Sequence, residues 1–249
     1  VLASPAMRNY LHTPSISEFS VYATTEPAAA ARIPQVGRGG KQFGMEASSF
    51  QQLGANSVVW GKASYQNGKK YDVTWNETSD FLLLYPYVMG DAKGGDQNYE
   101  SYRLDGGYST RHGKTCYGVD LGYRTLSEYR DRDPRPNNTV ADLYAQGGIG
   151  LNLWGSYSVA LTATAGKYKQ TNELAFYNEL GTQMVYHLTG IGNDFTRFSG
   201  QGKNCFYKGY SIGAEISMAS KETTGWSASA GYLFTRKEKV LTDLNRLPL

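Results

Sequence analysis

The chain has 249 residues, 25 Lys and Arg against 22 Asp and Glu, many Gly (29) and Tyr (20), and only two Cys. A net charge of +3 with both signs interspersed contains no basic block able to track phosphates, so nucleic acid is not an expected partner. The glycines follow no three-residue period, which excludes collagen, and no window reaches the ~18 apolar residues of a membrane helix.

Period-two alternation with turn punctuation predicts nine strands, at about 17–26, 41–53, 57–67, 98–111, 115–129, 138–153, 156–170, 205–219 and 225–237. The links between them alternate in length. Residues 27–40 are long, "GAN" (54–56) short, 68–97 long and "HGK" (112–114) short. "DRDPRPNN" (131–138) is of medium length, "WGS" (154–156) short, 171–204 long and "KETTG" (221–225) short. This regularity marks an up-and-down antiparallel meander whose two ends meet different surroundings, as in outer-membrane barrels with short periplasmic turns and long outside loops. A Greek-key sandwich gives no such rule.

One parity of each strand is apolar or aromatic: Tyr102, Leu104 and Tyr108; Tyr117, Val119, Leu121 and Tyr123; Tyr210, Ile212 and Ile216; Ala228, Tyr232 and Phe234. These are expected to face lipid, with Trp154, Tyr157, Trp226, Tyr168 and Tyr129 as interfacial girdles. The opposite parity is small or polar, most plainly Ser158, Ala160, Thr162 and Thr164, and is expected to line a lumen. Its charges, Lys62, Arg103, Asp105, Asp120, Arg124, Asp142 and Glu215, either define a selective path or pair across strands.

Chemistry-bearing candidates lie in the long links. "YDVTWNETSDFLLLYPYVMGD" (71–91) is too apolar for an ordinary exposed loop. It is expected to pack over or into the barrel, or to offer Trp75, Tyr85 and Tyr87 to an extracellular partner. His187 reads as a solvated loop histidine; with a rim carboxylate, Asp194 of the same loop or Asp131 and Asp133 of another, it could activate water as a hydrolase would. "DRDPRPNN" reads as a Pro-stiffened turn, since Arg132 and Arg135 oppose cation binding by Asp131 and Asp133. No metal or cofactor is expected. Cys116 follows a short turn and Cys205 a long loop, at opposite ends of the band, so two free thiols are expected.

"VYATTEPAAAARIPQVGRGGKQFGMEASSF", "VVWGKASYQNGKKYDVTWNETSDFLLLYPYVMGD", "YRTLSEYRDRDPRPNN", "AGKYKQTNELAFYNELGTQMVYHLTGIGNDFTRFSG" and "LTDLNRLPL" resemble an uncharacterised family of Bacteroidota outer-membrane β-barrel proteins, from Ser17 to Leu249. The resemblance implies fold and location, assigns no catalytic residue, and implies a longer parent chain. "SPAMRNY" (4–10) also resembles the Asn-Pro-Ala segment near the start of long-chain fatty-acid transporter barrels, with Ser4 in place of Asn.

The expectation is therefore one all-β domain over 1–249, an up-and-down transmembrane barrel of about nine strands lacking its C-terminal strands, with 1–16 as an N-terminal segment. "RKEKVLTDLNRLPL" is expected to begin another outer loop. The expected role is a non-enzymatic, porin-like conduit or a structural component of the bacterial outer membrane, with lipid and other outer-membrane proteins as partners. An uptake barrel for hydrophobic small molecules, a rim-site hydrolase and a soluble carbohydrate-binding sandwich are the alternatives.

Overall fold

The structure, a computed structural model, describes residues 4–10, 14–27, 33–154, 156–178, 184–190, 193–194, 204–220, 225–241 and 244–248. Parts of several predicted links, including Gly155 and 221–224, lie outside the described residues. A short 3-10 helix, η1 (Pro5–Tyr10), precedes β1 (Ile16–Glu26), β2 (Gly39–Leu53) and β3 (Ser57–Val73). Then come α1 (Phe81–Leu84), β4 (Met89–Gly90), β5 (Gly95–His112), β6 (Thr115–Tyr129), β7 (Arg135–Trp154) and β8 (Tyr157–Ala175). The chain continues through β9 (Tyr186–Gly190), β10 (Asn193–Asp194), β11 (Cys205–Ser220), β12 (Ser227–Leu241) and β13 (Leu244–Pro248).

Ten strands form one antiparallel sheet in the order β1-β2-β3-β5-β6-β7-β8-β11-β12-β13, and β10-β9-β4 form a small second sheet. Each large-sheet strand pairs with its sequence neighbour once the small-sheet strands are set aside, which is the expected meander. Short links work because glycine enters the left-handed region without a Cβ clash: Gly54 has φ +73° and Gly113 φ +59°.

Several boundaries differ from the sequence reading, for one physical reason. β3 runs on to Val73, β5 starts at Gly95, and β12 continues to Leu241 and pairs with β13. The charged stretches "NGKKYD" and "RKEK" look like loops but keep the strand period beyond the apolar band. The expected outer loop after residue 237 is thus corrected to the end of β12 and a tenth strand, and the strict alternation of link length fails there.

Alternation separates two faces. On one, Leu104 (59% exposed), Leu161 (56%) and Ile212 (61%) stand open together with Val119, Leu121, Leu143, Ile149 and Ile216. The other face is concave, and the contacts of η1 require it. Six residues of 3-10 helix span about 12 Å. Strands β3 and β11 stand five spacings apart in sheet order, about 24 Å along a flat sheet. Yet Arg8 lies over the Trp60 ring of β3, and Met7 Sδ accepts from Ser217 of β11. Only a curled sheet brings both within reach.

Two buried clusters fill this concave face. The lower one, at the short-link end, joins Ala6, Met7 and Tyr10 to Cys116, Ala160 and Ala219. The upper one joins Phe81, Leu84, Val88 and Met89 to wall residues including Leu126, Val140, Tyr168, Cys205 and Tyr207. Cys116 and Cys205 thus sit in separate clusters as free, buried thiols. Tyr168 is buried on the concave side, so it is not a girdle residue as expected. Trp226 is 80% exposed, and the Trp154 side chain lies outside the described residues.

The small inward residues of β6–β8 make room for η1. A Cβ on Gly118 would lie 2.4 Å from the Pro5 carbonyl carbon, and one on Gly148 2.6 Å from Ser4 Oγ. Gly118→Val should therefore displace η1 at a cost of about 1–3 kcal/mol. The measurement is the unfolding midpoint in detergent, with trypsin cleavage after Arg8 as the local readout. An unchanged midpoint and a protected Arg8 would show that the close approach does not hold the segment.

Candidate functional site: two inserted segments on the concave face

The lower insertion is anchored by polar contacts around its apolar side. Ser109 donates to the Ala6 carbonyl at 3.0 Å, and the Tyr10 hydroxyl reaches Asn152 Oδ1. Arg8 stacks 4.3 Å from the Trp60 ring centroid and lies 3.5 Å from Asp120, which also accepts from Trp60 Nε1. The segment 4–10 is thus packed against the concave face at the short-link end.

Above it the register puts all seven expected lumen charges on the concave face: Lys62 opposite Asp105, Arg103 opposite Arg124, Asp142 opposite Arg124, Asp120 opposite Gln146, and Glu215 opposite Thr162. All but Glu215 are drawn into ion pairs, Asp120 with Arg8 among them. Lys62 meets Glu46 at 2.8 Å, and Arg103 meets Asp105 at 2.7 Å while Tyr144 donates to that carboxylate. Arg124 bridges Asp80 at 3.0 Å and Asp142 at 3.8 Å. Glu215 is half-buried, and its Oε1 has no partner among the described residues.

The upper insertion is the apolar link between β3 and β5. Left-handed backbone at Trp75 (φ +56°) and Asp80 (φ +53°) turns it inward, and α1 follows. Phe81 and Leu84 enter the upper cluster, while Leu82 (71%) and Leu83 (45%) stay exposed beside a cavity of about 320 Å³. Trp75 and Tyr85 are half exposed, packed on Tyr186 and Phe81 respectively, and Tyr87 accepts from the Tyr207 hydroxyl through its carbonyl. Aromatic surface is therefore present at Trp75 and Tyr85, while Tyr87 is partly buried.

His187 corrects its expectation. It lies on β9 opposite Met89 and is fully buried, because β9 pairs with β4 of the inserted segment and turns this side chain away from solvent. Asp194 is exposed and pairs in register with Leu188, so the rim pair is not assembled. In the Pro-stiffened turn, the Asp133 carboxylate accepts from the backbone of Tyr177 and Asn178 and from Arg135.

The group that fastens the upper insertion escaped the sequence reading. Arg130, at the end of β6, donates to Glu77 and to Asp91, each at 2.7 Å, and all three are buried. Asn138 and Asn172 donate to the Glu77 carbonyl, Gln97 to that of Asn76, and Lys239 to that of Val88. Ser79 and Lys70 share Glu128. A signal did exist: inward polar side chains at the same height on β5 to β8 mark a wall built to bind backbone.

Burial and the nearby Asp91 carboxylate hold the Glu77 carboxyl well above the ordinary glutamate range. Burial alone would raise Asp91 too, but bonding from Glu77, Arg130 and the Gly94 N–H brings it below its ordinary value. The two carboxyls that share one guanidinium are thus pushed in opposite directions.

Arg130→Met should leave two carboxyls buried without their cation and cost about 3–5 kcal/mol. The checks are a lowered midpoint and new protease cuts in 74–94; a variant as stable as the wild type would refute the assignment. The pH dependence follows from Glu77. Its folded pKa is raised, so its stabilising contribution is full below the ordinary value of 4.5 and is lost as pH rises through the folded value. Glu77→Gln should abolish that alkaline loss, read from midpoints across pH; parallel profiles for the two proteins would contradict it.

No curated protein sequence is significantly similar to this chain. The solved translocator domain of autotransporter NalP from Neisseria meningitidis is similar over 94% of this chain and 80% of that one, at 11% identity and a TM-score of 0.36. A family model matches residues 5–249, and the chain belongs to that family, a family of unknown function (DUF6850).

Proposed function

We propose that the protein is a non-enzymatic outer-membrane β-barrel acting as a conduit that its own chain keeps closed at rest. The observation that carries this reading is the filling of one concave face by two separate segments, η1 at the short-link end and 74–94 at the other. Lipid is the proposed surrounding of the convex face. Along β7, Leu143 to Leu153 is about 33 Å of strand, or about 25 Å of height at a tilt of ~40°, the thickness of an outer-membrane apolar band. A water-soluble chain rarely exposes so large a contiguous apolar surface.

A second reading, uptake of hydrophobic small molecules, is favoured by the cavity that Phe81, Leu82, Leu83 and Leu126 line beside Lys70 and Arg124. Both readings need the upper segment to yield.

Conductance in planar bilayers tests the proposal on the full chain. The wild type should be nearly silent, and a variant with residues 80–88 replaced by a Gly/Ser linker should conduct at least ten-fold more. A linker variant that inserts normally and stays silent would defeat the conduit and leave a structural role.

A further inference from the structure

On the convex face, basic side chains gather at one end of the apolar band. Lys167 and Lys169 on β8, Lys208 on β11 and Arg236 on β12 are all exposed at outward positions of three neighbouring strands. Register packs them closely: Lys169 is directly opposite Lys208, and Tyr210 is opposite both Lys167 and Arg236. Immediately below lie Tyr210 and Phe234, with ring centroids 6.1 Å apart, and then Ile212 and Leu161 of the open apolar surface. This is the long-link end of the strands.

Two facing lysines repel, and like charges directly opposite each other on a sheet are destabilising. Their own chain does little to relieve this. Glu238, opposite Lys208 in register, is ion-paired with Arg236 at 3.2 Å. Among the described residues, no carboxylate forms an ion pair with Lys167, Lys169 or Lys208. Glu173, four positions beyond Lys169 on β8, bounds the patch. At the short-link end of β8, β11 and β12 the outward positions among the described residues are Tyr157, Val159, Met218, Ala228 and Ala230, with no basic residue. The charge is therefore one-sided as well as concentrated.

We propose that Lys167, Lys169, Lys208 and Arg236 bind the phosphate groups of a phosphorylated lipid in the leaflet at the long-link end. Ammonium and guanidinium groups supply charge-assisted hydrogen bonds to phosphate oxygens. Tyr210 and Phe234 sit at the headgroup boundary, and the acyl chains lie along Ile212, Leu161 and Tyr232. An anion between Lys169 and Lys208 turns their repulsion into a shared attraction. The proposal rests on the membrane reading above and adds to it which lipid chemistry the surface selects.

The test is binding by the full-length protein in detergent, followed by native mass spectrometry. The probes are a diphosphorylated lipid A, the same lipid with its phosphates removed, and inorganic phosphate. The wild type should bind the phosphorylated lipid at least ten-fold more tightly than the dephosphorylated one. The triple variant Lys167→Gln, Lys169→Gln, Lys208→Gln should lose that preference, and Lys→Arg at the same positions should keep it. Equal binding of both lipids by the wild type overturns the proposal whether or not any variant folds. So does a preference that survives in the Gln variant, or displacement of the lipid by equimolar inorganic phosphate, which would mark a free-anion site. The two readings fail separately: a protein that stays soluble without detergent defeats the membrane reading, whereas one that inserts without lipid preference defeats only this proposal.

Discussion

A strand residue points to one face or the other, and in a curled sheet those faces have opposite needs. The convex face needs only a surface that suits its surroundings, whereas the concave face must be filled or wetted. Most of this structure follows from how that second need is met. The inward residues of β6 to β8, Gly118, Gly148, Gly150, Ala160 and Thr162, are too small to fill the space themselves, and η1 takes the volume they leave. A slip of one residue in any of these ladders would carry Ile149 or Leu161 inward and leave no room for Met7.

The two insertions are held by different physics. The lower one depends on shape, with backbone approaching glycine closely and few ionic contacts beyond Arg8 and Asp120. The upper one combines an apolar cluster with a buried polar wall in which Asn138, Asn172, Gln97 and Lys239 bind carbonyl groups of the inserted segment. Such carbonyls cannot be left bare inside a protein, since each unpaired buried group costs about 1–3 kcal/mol. The wall therefore specifies the path of the segment, and the apolar residues of α1 supply the driving force.

How much of this was legible follows from the same division. The sheet was readable because the strict period of two survives in β6, β7, β8 and β11, and the exposed positions of Leu104, Ile212 and Ala228 are those the parity assigns. Strand ends were misread where charge replaced apolar character, as at Lys237 to Leu241, because composition there imitates a loop while pairing persists. His187 was misplaced for a related reason: its burial depends on β4, about 100 residues away, which no local pattern announces. Arg130, Glu77 and Asp91 were missed because a buried ion cluster is a tertiary event among three separated segments. The apolar character of 81–89, by contrast, pointed rightly to a packed segment.

The choice of ions at Arg130 also bears on what the upper segment can do. A well-packed apolar group in place of a buried ion cluster is often at least as stabilising, because desolvation offsets much of the Coulomb gain. An attachment built only from Phe81, Leu84 and Val88 would carry no titrating group and so no pH dependence of its own. With Glu77 pushed up by burial and Asp91 brought below its ordinary value by Glu77 and Arg130, the attachment instead carries a pH dependence. Glu77, Asp91 and Arg130 are all buried, so a change of charge on either carboxyl is poorly screened there. All three lie outside the strands of the ten-stranded sheet, so this pH dependence acts on the inserted segment and not on the ladder around it.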